Sequence, residues 1–418
     1  MIDEWQERTL GDLTENFDGI RVPVKEADRR AGPYPYYGAS GVVDYVDGFL
    51  FDGEYLLIAE DGENLRTRTT PIAFMARGKF WVNNHAHIVR GNDQADTRFL
   101  MYSLAGTDVS GYLTGSTMPK LTQGNMNRIP LRIPALQEQR AIAHILGTLD
   151  DQIELNRQMS ETLEAMARAL FKSWFVDFDP VRAKVEGRDI GLPSEIADLF
   201  PDRFVDSELG EIPEGWEIGV FGNVVEFVRE TTNPLSSPDT AFHHFSIPAF
   251  DEGKRPRTEL GAEIKSQKSR VVAGATLLSK LNPEIDRVWL ADVDAQTPAV
   301  CSTEFLVLIA QPPFARSYVY CLARSRGFRQ ELEGLVTGTS KSHQRVHATA
   351  VQSLGVVLPP KAVVGLFDQL AGSLLDRILK CRAASQILAD LRDSLLPKLI
   401  SGDLRVKDAY SQGQKAAS

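Results

Sequence analysis

Between Leu136 and Pro180 apolar side chains return at alternating steps of three and four residues. With Ile142 at heptad position a, the later a positions are Leu149, Asn156, Leu163 and Leu170, and the d positions are Ile145, Gln152, Met159, Met166 and Ser173. A stripe of this kind on one helix face suits packing against a second helix. Gly147 is nearly the only helix breaker in the run, and at ~1.5 Å per residue some 40 helical residues span roughly 60 Å. The same frame returns near the C-terminus, with Phe367, Leu374, Cys381, Leu388 and Leu395 at a and Leu370, Arg377, Ala384, Leu391 and Lys398 at d. Both copies place glycine at one slot, Gly147 and Gly372, and isoleucine at another, Ile153 and Ile378. The packing positions expected are Leu149, Asn156, Leu163, Leu170 and Trp174 on the first helix and Leu374, Leu388 and Leu395 on the second.

The helix ends are marked as well. Glu138 stands in the first turn after Pro134, where its charge suits the helix dipole, and Pro180 is expected to stop the first helix. Pro397 is expected to end or kink the second. Asn156 is a candidate register-setting polar group, but Cys381 holds the matching slot, so no Asn–Asn pair forms between the copies. A partner contact and a buried water are the two readings left for it. Trp174 and Phe175 are too large and apolar to stand exposed; core packing is expected, with docking of a partner protein as the alternative.

Ahead of each long helix lies a globular stretch with matched landmarks. Trp5 and Leu10 to Leu13 answer to Trp216 and Phe221 to Val224, and Gly53 to Asn64 answers to Gly274 to Glu284. His87-Ile88-Val89 answers to Phe305-Leu306-Val307, and Tyr102-Ser103-Leu104 to Tyr320-Cys321-Leu322. A loop opening at Gly115 answers to one opening at Gly338, and Ile129 to Pro134 answers to Leu354 to Pro359. Order is kept while loop lengths vary, as in a tandem duplication. Apolar runs predict strands over 55–59, 85–89, 276–279 and 305–309 and short helices over 99–104 and 317–324. The fold class expected is α+β. The boundaries expected are a first globular domain over 1–135, a helix over 136–180, a linker over 181–205, a second globular domain over 206–360, a helix over 361–404 and a loose tail over 405–418.

With 418 residues, 43% hydrophobic and 24% charged, the chain has the size for two or three ordinary soluble domains. There is no apolar run of ~18 residues and no basic-then-apolar leader, so neither membrane insertion nor secretion is expected. Cys301, Cys321 and Cys381 are widely spaced and form no CxxC pair, which favours a reducing cytoplasm. A net charge of −10 argues against coating nucleic acid by bulk electrostatics, yet leaves room for a local basic face or for basic partners.

Taken together, EWQERTLGDL, GSTMPKLTQGNMNRIPLRIPALQEQRAIAHIL, LFKSWFVDFDP, LGEIPEGWEI and LLPKLISGDL closely resemble the specificity subunit of type I restriction-modification systems. These pieces fall at both ends of each half, so the resemblance covers nearly the whole chain. It implies two target recognition domains related by pseudo-two-fold symmetry, each reading half of a bipartite site in double-stranded DNA. It implies also that the two long helices pack antiparallel as a spacer and a docking surface for two methyltransferase subunits. S-adenosylmethionine, ATP and Mg are then expected on the methyltransferase and restriction subunits, with no cofactor and no metal in this chain. The alternative is a coiled-coil scaffold whose globular domains bind protein.

Reading bases needs side chains that hydrogen-bond groove edges, and phosphates need Lys, Arg and hydroxyls. The candidates in the first half are Arg66 and Arg68, in NLRTRTT, and Ser116, Thr117 and Lys120, in a loop bounded by Gly and Pro. In the second half they are Lys254, Arg257 and Lys268, within the densest basic run (with Arg255, Lys265 and Arg270), and Thr339, Ser340, Lys341 and Arg345 in the matching loop. Solvated surface loops are the plainer reading of each cluster. Catalytic motifs fail on inspection. QPPF from Gln311 lacks the leading Asp or Asn of an adenine methyltransferase and the Gly-rich cofactor loop that goes with it. HQRVH from His343 has Gln344 where a zinc protease needs its Glu base, and GLVTGTSKS misorders the phosphate-loop pattern. The chain reads as non-catalytic.

Overall fold

The computed structural model describes residues 5–294, 296–336 and 344–406. The chain folds as two compact units, one made of the residues up to Leu155 together with those from Ala384 on, the other of Asn156–Ala383. The division falls inside both long helices, so each unit holds one globular part and half of each helix.

In the first unit Gln6–Thr9 pairs antiparallel with Pro130–Ile133. Thr9 then caps the one-turn helix Leu10–Leu13, its hydroxyl accepting from the Asp12 N–H at 3.3 Å and donating to the Asp12 carboxylate at 2.7 Å. That turn sets fully buried Leu10 and Leu13 under a six-stranded sheet. Its strand order is Thr14–Asn16, Ala86–Gly91, Phe51–Ala59, Ala73–Val82, Ala31–Gly38 and Gly41–Val46. Helix Thr97–Gly106, capped by Asp96, sends Phe99, Leu100 and Leu104 into a core that also takes Ile142, Leu146, Leu395 and Leu399 from the long helices.

The second unit repeats this plan. Glu217–Val220 pairs antiparallel with Gly355–Leu358, and a sheet runs Val225–Val228, Phe305–Ala310, Thr276–Ser279, Val288–Leu290. The match reaches single hydrogen bonds. Leu10 N–H donates to Ile129 O at 2.8 Å and Phe221 N–H to Leu354 O at 2.7 Å. Asn92 N–H donates to Leu13 O at 3.0 Å and Gln311 N–H to Val224 O at 2.9 Å. What differs is an added five-stranded sheet in the second unit, ordered Thr231–Thr232, Lys268–Val271, Ala299–Cys301, Ala241–Phe245, Arg257–Leu260. The strands and short helices read from the sequence all coincide with observed elements, the helices being Thr97–Gly106 and Arg316–Ala323, with only His85 and Arg324 falling one residue outside.

The first long helix, Leu136–Phe175, is continuous over 40 residues. The second comprises Lys361–Phe367, a wider π turn at Asp368–Gly372, and Ser373–Ser401. Within each unit the two run antiparallel: in the first, Asp150 meets Arg392 at 2.8 Å and Ile142 shares a core with Leu399. In the second, Met159 Sδ lies 3.6 Å from Cys381 Sγ, while Phe171 and Phe367 pack with ring centroids 5.8 Å apart.

Two expectations need correction. Pro397 does not end its helix, which continues to Ser401; buried Leu395 and Leu399 on either side outweigh one lost N–H bond near the end. Pro180 does not stop the first helix, which ends at Phe175. Pro180 instead lies in the first turn of helix Asp179–Val185, where an N–H has no partner to lose. The stretch 181–205, expected as the linker between the halves, is itself packed, with Val181, Ala183 and Phe200 buried.

The seam between the helices is also shifted. The a positions face inward, with Asn156 7% and Leu395 3% exposed and Leu149, Leu163, Leu170, Leu374 and Leu388 half-buried. The second row is not d but e: Leu146, Ser160, Ala167 and Trp174 on the first helix and Ala371, Ile378, Ser385 and Leu399 on the second are buried. Met166 and Leu370, both at d, are 53% and 42% exposed. Trp174 lies in the second unit's core beside Phe200, Phe175 and Phe367 and is unavailable for docking.

All three cysteines are free and buried, and burial pushes the thiols of Cys301 and Cys321 up to about 12. The thiolate is the reacting form, so the native chain is expected to stay unreactive toward a thiol-specific dye near neutral pH until denaturant is added. Prompt labelling of Cys301 or Cys321 in the native protein would contradict the packing described.

Candidate nucleic-acid interface

The Gly115 loop of the first unit is closed by two backbone bonds, Thr114 N–H to Lys120 O at 2.8 Å and Lys120 N–H to Thr114 O at 2.7 Å. Gly115 has φ +87°, and a Cβ there would lie 2.2 Å from Met118 O, so the turn admits only glycine. Ser116, Thr117 and Met118 are exposed at its tip. Its root is fixed by Gly62 N–H to Pro119 O at 3.1 Å and Leu121 N–H to Glu60 O at 2.8 Å. Arg66, on the one-turn helix Asn64–Thr67, donates to Gly115 O at 3.1 Å and Ser116 O at 3.4 Å. Lys120 Nζ lies 3.1 Å from Glu60 and remains half-exposed. Arg66, Ser116, Thr117 and Lys120 are therefore brought together.

Arg68 is not part of that group. At φ +53° it turns away and donates to the carbonyls of Leu104 at 3.1 Å and Ala105 at 2.9 Å. It serves the C-terminal end of helix Thr97–Gly106, where a cation is favoured.

In the second unit the root of the matching loop is built alike: Val346 N–H donates to Lys280 O at 3.1 Å, and Leu281 bridges Arg345 as Asp61 bridges Lys120. Arg345 thus takes the place of Lys120, gripping Glu304 with bonds of 3.0 and 2.9 Å. Thr339, Ser340 and Lys341 lie outside the described residues.

The basic run does not form one patch. Lys268 and Arg270 lie on strand Lys268–Val271 and Arg257 on strand Arg257–Leu260, with Ala299–Cys301 and Ala241–Phe245 between them. At ~4.8 Å per strand, three steps separate them by roughly 14 Å. Arg257 is exposed and paired with Glu252 at 2.6 Å, and Arg270 with Glu230 at 2.9 Å. Lys254 sits apart from both. Burial, then the charge of Arg382, holds its ammonium below the usual lysine range, and its Nζ lies 5.2 Å over the Phe250 ring. Beside Arg270 a cavity of about 760 Å³ is lined by Thr231, Thr232, Asp294, Gln296 and Thr297. Sequence reasoning did not single out this polar pocket, because its residues come from separate strands and loops.

Two further groups escaped it. Buried Gln139 joins helix to domain, accepting from Asp96 N–H at 3.0 Å and donating to Gln94 O at 3.0 Å and Pro134 O at 2.9 Å. The matched tyrosines each donate to an acid of the first long helix, Tyr102 to Asp150 at 2.5 Å and Tyr320 to Glu164.

Residues 2–165 match the family described as Type I restriction modification DNA specificity domain. A putative type I restriction enzyme specificity subunit from Haemophilus influenzae is 39% identical over 150 residues, 35% of this chain and 37% of that protein. The type I restriction enzyme MjaIX specificity subunit from Methanocaldococcus jannaschii is 24% identical over 434 residues, 97% of this chain and 94% of that one. The crystal structure of the type I restriction-modification S subunit from M. genitalium shares the fold, with a TM-score of 0.59 at 14% identity over 95% of this chain and 96% of that one. Among the described residues no helix is long and apolar enough to cross a membrane. Residues 2–165 thus carry the domain described for type I restriction modification DNA specificity, and over nearly its whole length the chain is similar to specificity subunits of type I restriction enzymes.

Proposed function

We propose that this chain selects the DNA sequence for a type I restriction-modification complex of the cytoplasm and performs no chemistry itself. Each unit reads one part of a split, asymmetric site in double-stranded DNA, and the long helices set the unread gap between the parts. Two methyltransferase subunits, which bring S-adenosylmethionine, and restriction subunits, which use ATP and Mg, assemble on it. The observation carrying this reading is the repeated plan of the two units: one strand pairing, one loop root and one cation at that root, Lys120 or Arg345. A duplicated reader suits two segments of one duplex, whose grooves repeat about every 34 Å. The polar side chains of the Gly115 loop and of the pocket beside Arg270 offer the donors and acceptors that base edges require.

The test is binding of the chain, in complex with its methyltransferase, to duplex DNA over a range of salt. A steep linear fall of log affinity with log salt is expected. An absence of DNA binding by that complex would reject the reading and leave a protein-binding scaffold. Lys120→Ala and Arg345→Ala are each expected to weaken binding to all sequences about equally and to lower the salt slope by about 1. Lys254→Met is expected to leave the slope unchanged, its ammonium being packed inward.

A further inference from the structure

Beneath the Gly115 loop lies a charged cluster with no counterpart among the described residues of the second unit. His87, its side chain 2% exposed, sits on strand Ala86–Gly91 opposite Ile58. Its Nδ1 is 2.5 Å from Asp18 Oδ2 and 3.7 Å from Glu60 Oε2, and its Nε2 is 2.7 Å from Leu121 O. Arg21 closes the cluster, 3.3 Å from Asp18 and 2.8 Å from Glu60, with a bond of 2.6 Å to Ala86 O, and Lys120 meets Glu60 from the loop side. In the second unit the place of His87, opposite Leu278, is taken by buried Leu306.

A carbonyl only accepts, so Nε2 carries a hydrogen. Burial works to raise the Asp18 carboxyl, but the His87 bond and charge, the Ile88 N–H and Arg21 outweigh it and hold it below the ordinary carboxylate range. Asp18 is therefore ionised, its Oδ1 accepting from the Ile88 N–H at 2.8 Å and its Oδ2 facing His87 Nδ1. Glu60, where burial is outweighed chiefly by Arg21 and Lys120, is likewise ionised.

We infer that His87 is the positioning residue of the Gly115 loop. Its two ring nitrogens tie Leu121, at the foot of the loop, to Asp18 across the sheet edge, and so make loop placement in the first unit depend on this ring. Its effect on DNA selection rests on the proposed role of the loop; its effect on loop placement does not.

The test measures hydrogen exchange at the Thr114 and Lys120 amides, corrected for intrinsic rate, in the full chain bound to its methyltransferase. In His87→Leu protection is expected to be about tenfold lower, the loss of one charge-assisted bond, while the Val346 amide of the second unit holds steady. Asp18→Asn removes the counter-charge while keeping a side-chain acceptor and is expected to lose part of the same protection; this variant decides the matter if His87→Leu fails to fold. Equal protection in wild type and variants would overturn the inference. Methylation of DNA carrying changes in one part of the site or the other is scored in parallel. Relaxed selection in one part alone supports both steps. Changed exchange with unchanged selection supports the positioning role and rejects the DNA role of the loop.

Discussion

Replacing residues 1–135 by the corresponding segment of a relative with a different site changes one part of the recognised sequence and leaves the other as it was. The replaced segment contains the whole six-stranded sheet and the Gly115 loop, and none of the second unit. It joins the rest at Leu136, the first residue of the long helix. The graft has to seat on that helix. Gln139 binds the turn at Gln94–Asp96, Arg98 meets Asp151 at 3.1 Å, and Tyr102 binds Asp150, which also holds Arg392. A donor with a tyrosine and an arginine at those places should function; one without them leaves Asp150 and Asp151 without those partners and is expected to methylate more weakly. The measurement is a map of methylated adenines in cells producing the chimera with its methyltransferase. Change in both parts would mean that the units do not read independently.

Ala167→Asp is expected to unfold the second unit or lower its melting temperature sharply, whereas Met166→Asp, one residue earlier, is expected to cost less than about 1 kcal/mol. Ala167 is fully buried in the core that holds Phe171, Trp174 and Phe367. A carboxylate placed there loses water and gains no partner, a penalty of several kcal/mol, against a total domain stability of about 5–15 kcal/mol. Met166 is 53% exposed. Thermal unfolding of the two variants compares them directly. A larger loss for Met166→Asp would put the seam back on the d row.

That shifted row marks how far the pattern could be read. The helices, their shared frame and the duplicated landmarks were legible because burial on one face imposes a period. The choice between d and e was not, since on the first helix Ile145, Met159 and Met166 are as apolar as Leu146, Ile153 and Ala167. The second helix held a weak signal: its d row contains two cations, Arg377 and Lys398, and its e row one, Arg392, beside Ala371, Ile378, Ser385 and Leu399. Glycine foretold the Gly115 turn, and the shared order of landmarks put Arg345 in the matching loop without pairing it with Lys120. Arg68, Lys254 and Arg257 looked alike as basic letters and differ in space. One caps a helix, one is packed inward, and one is paired at a sheet edge, because fates of long cations depend on neighbours distant in sequence. The His87 cluster joins residues 18, 21, 60, 87 and 120, and no local spacing betrays it.

The most direct measurement is the methylation map of DNA from cells carrying the unaltered chain and its methyltransferase. Two short specified elements, different in sequence and separated by a fixed run of unspecified bases, are the expected result. A single uninterrupted motif, or a gap that varies from site to site, would contradict two readers held at a set spacing on one chain.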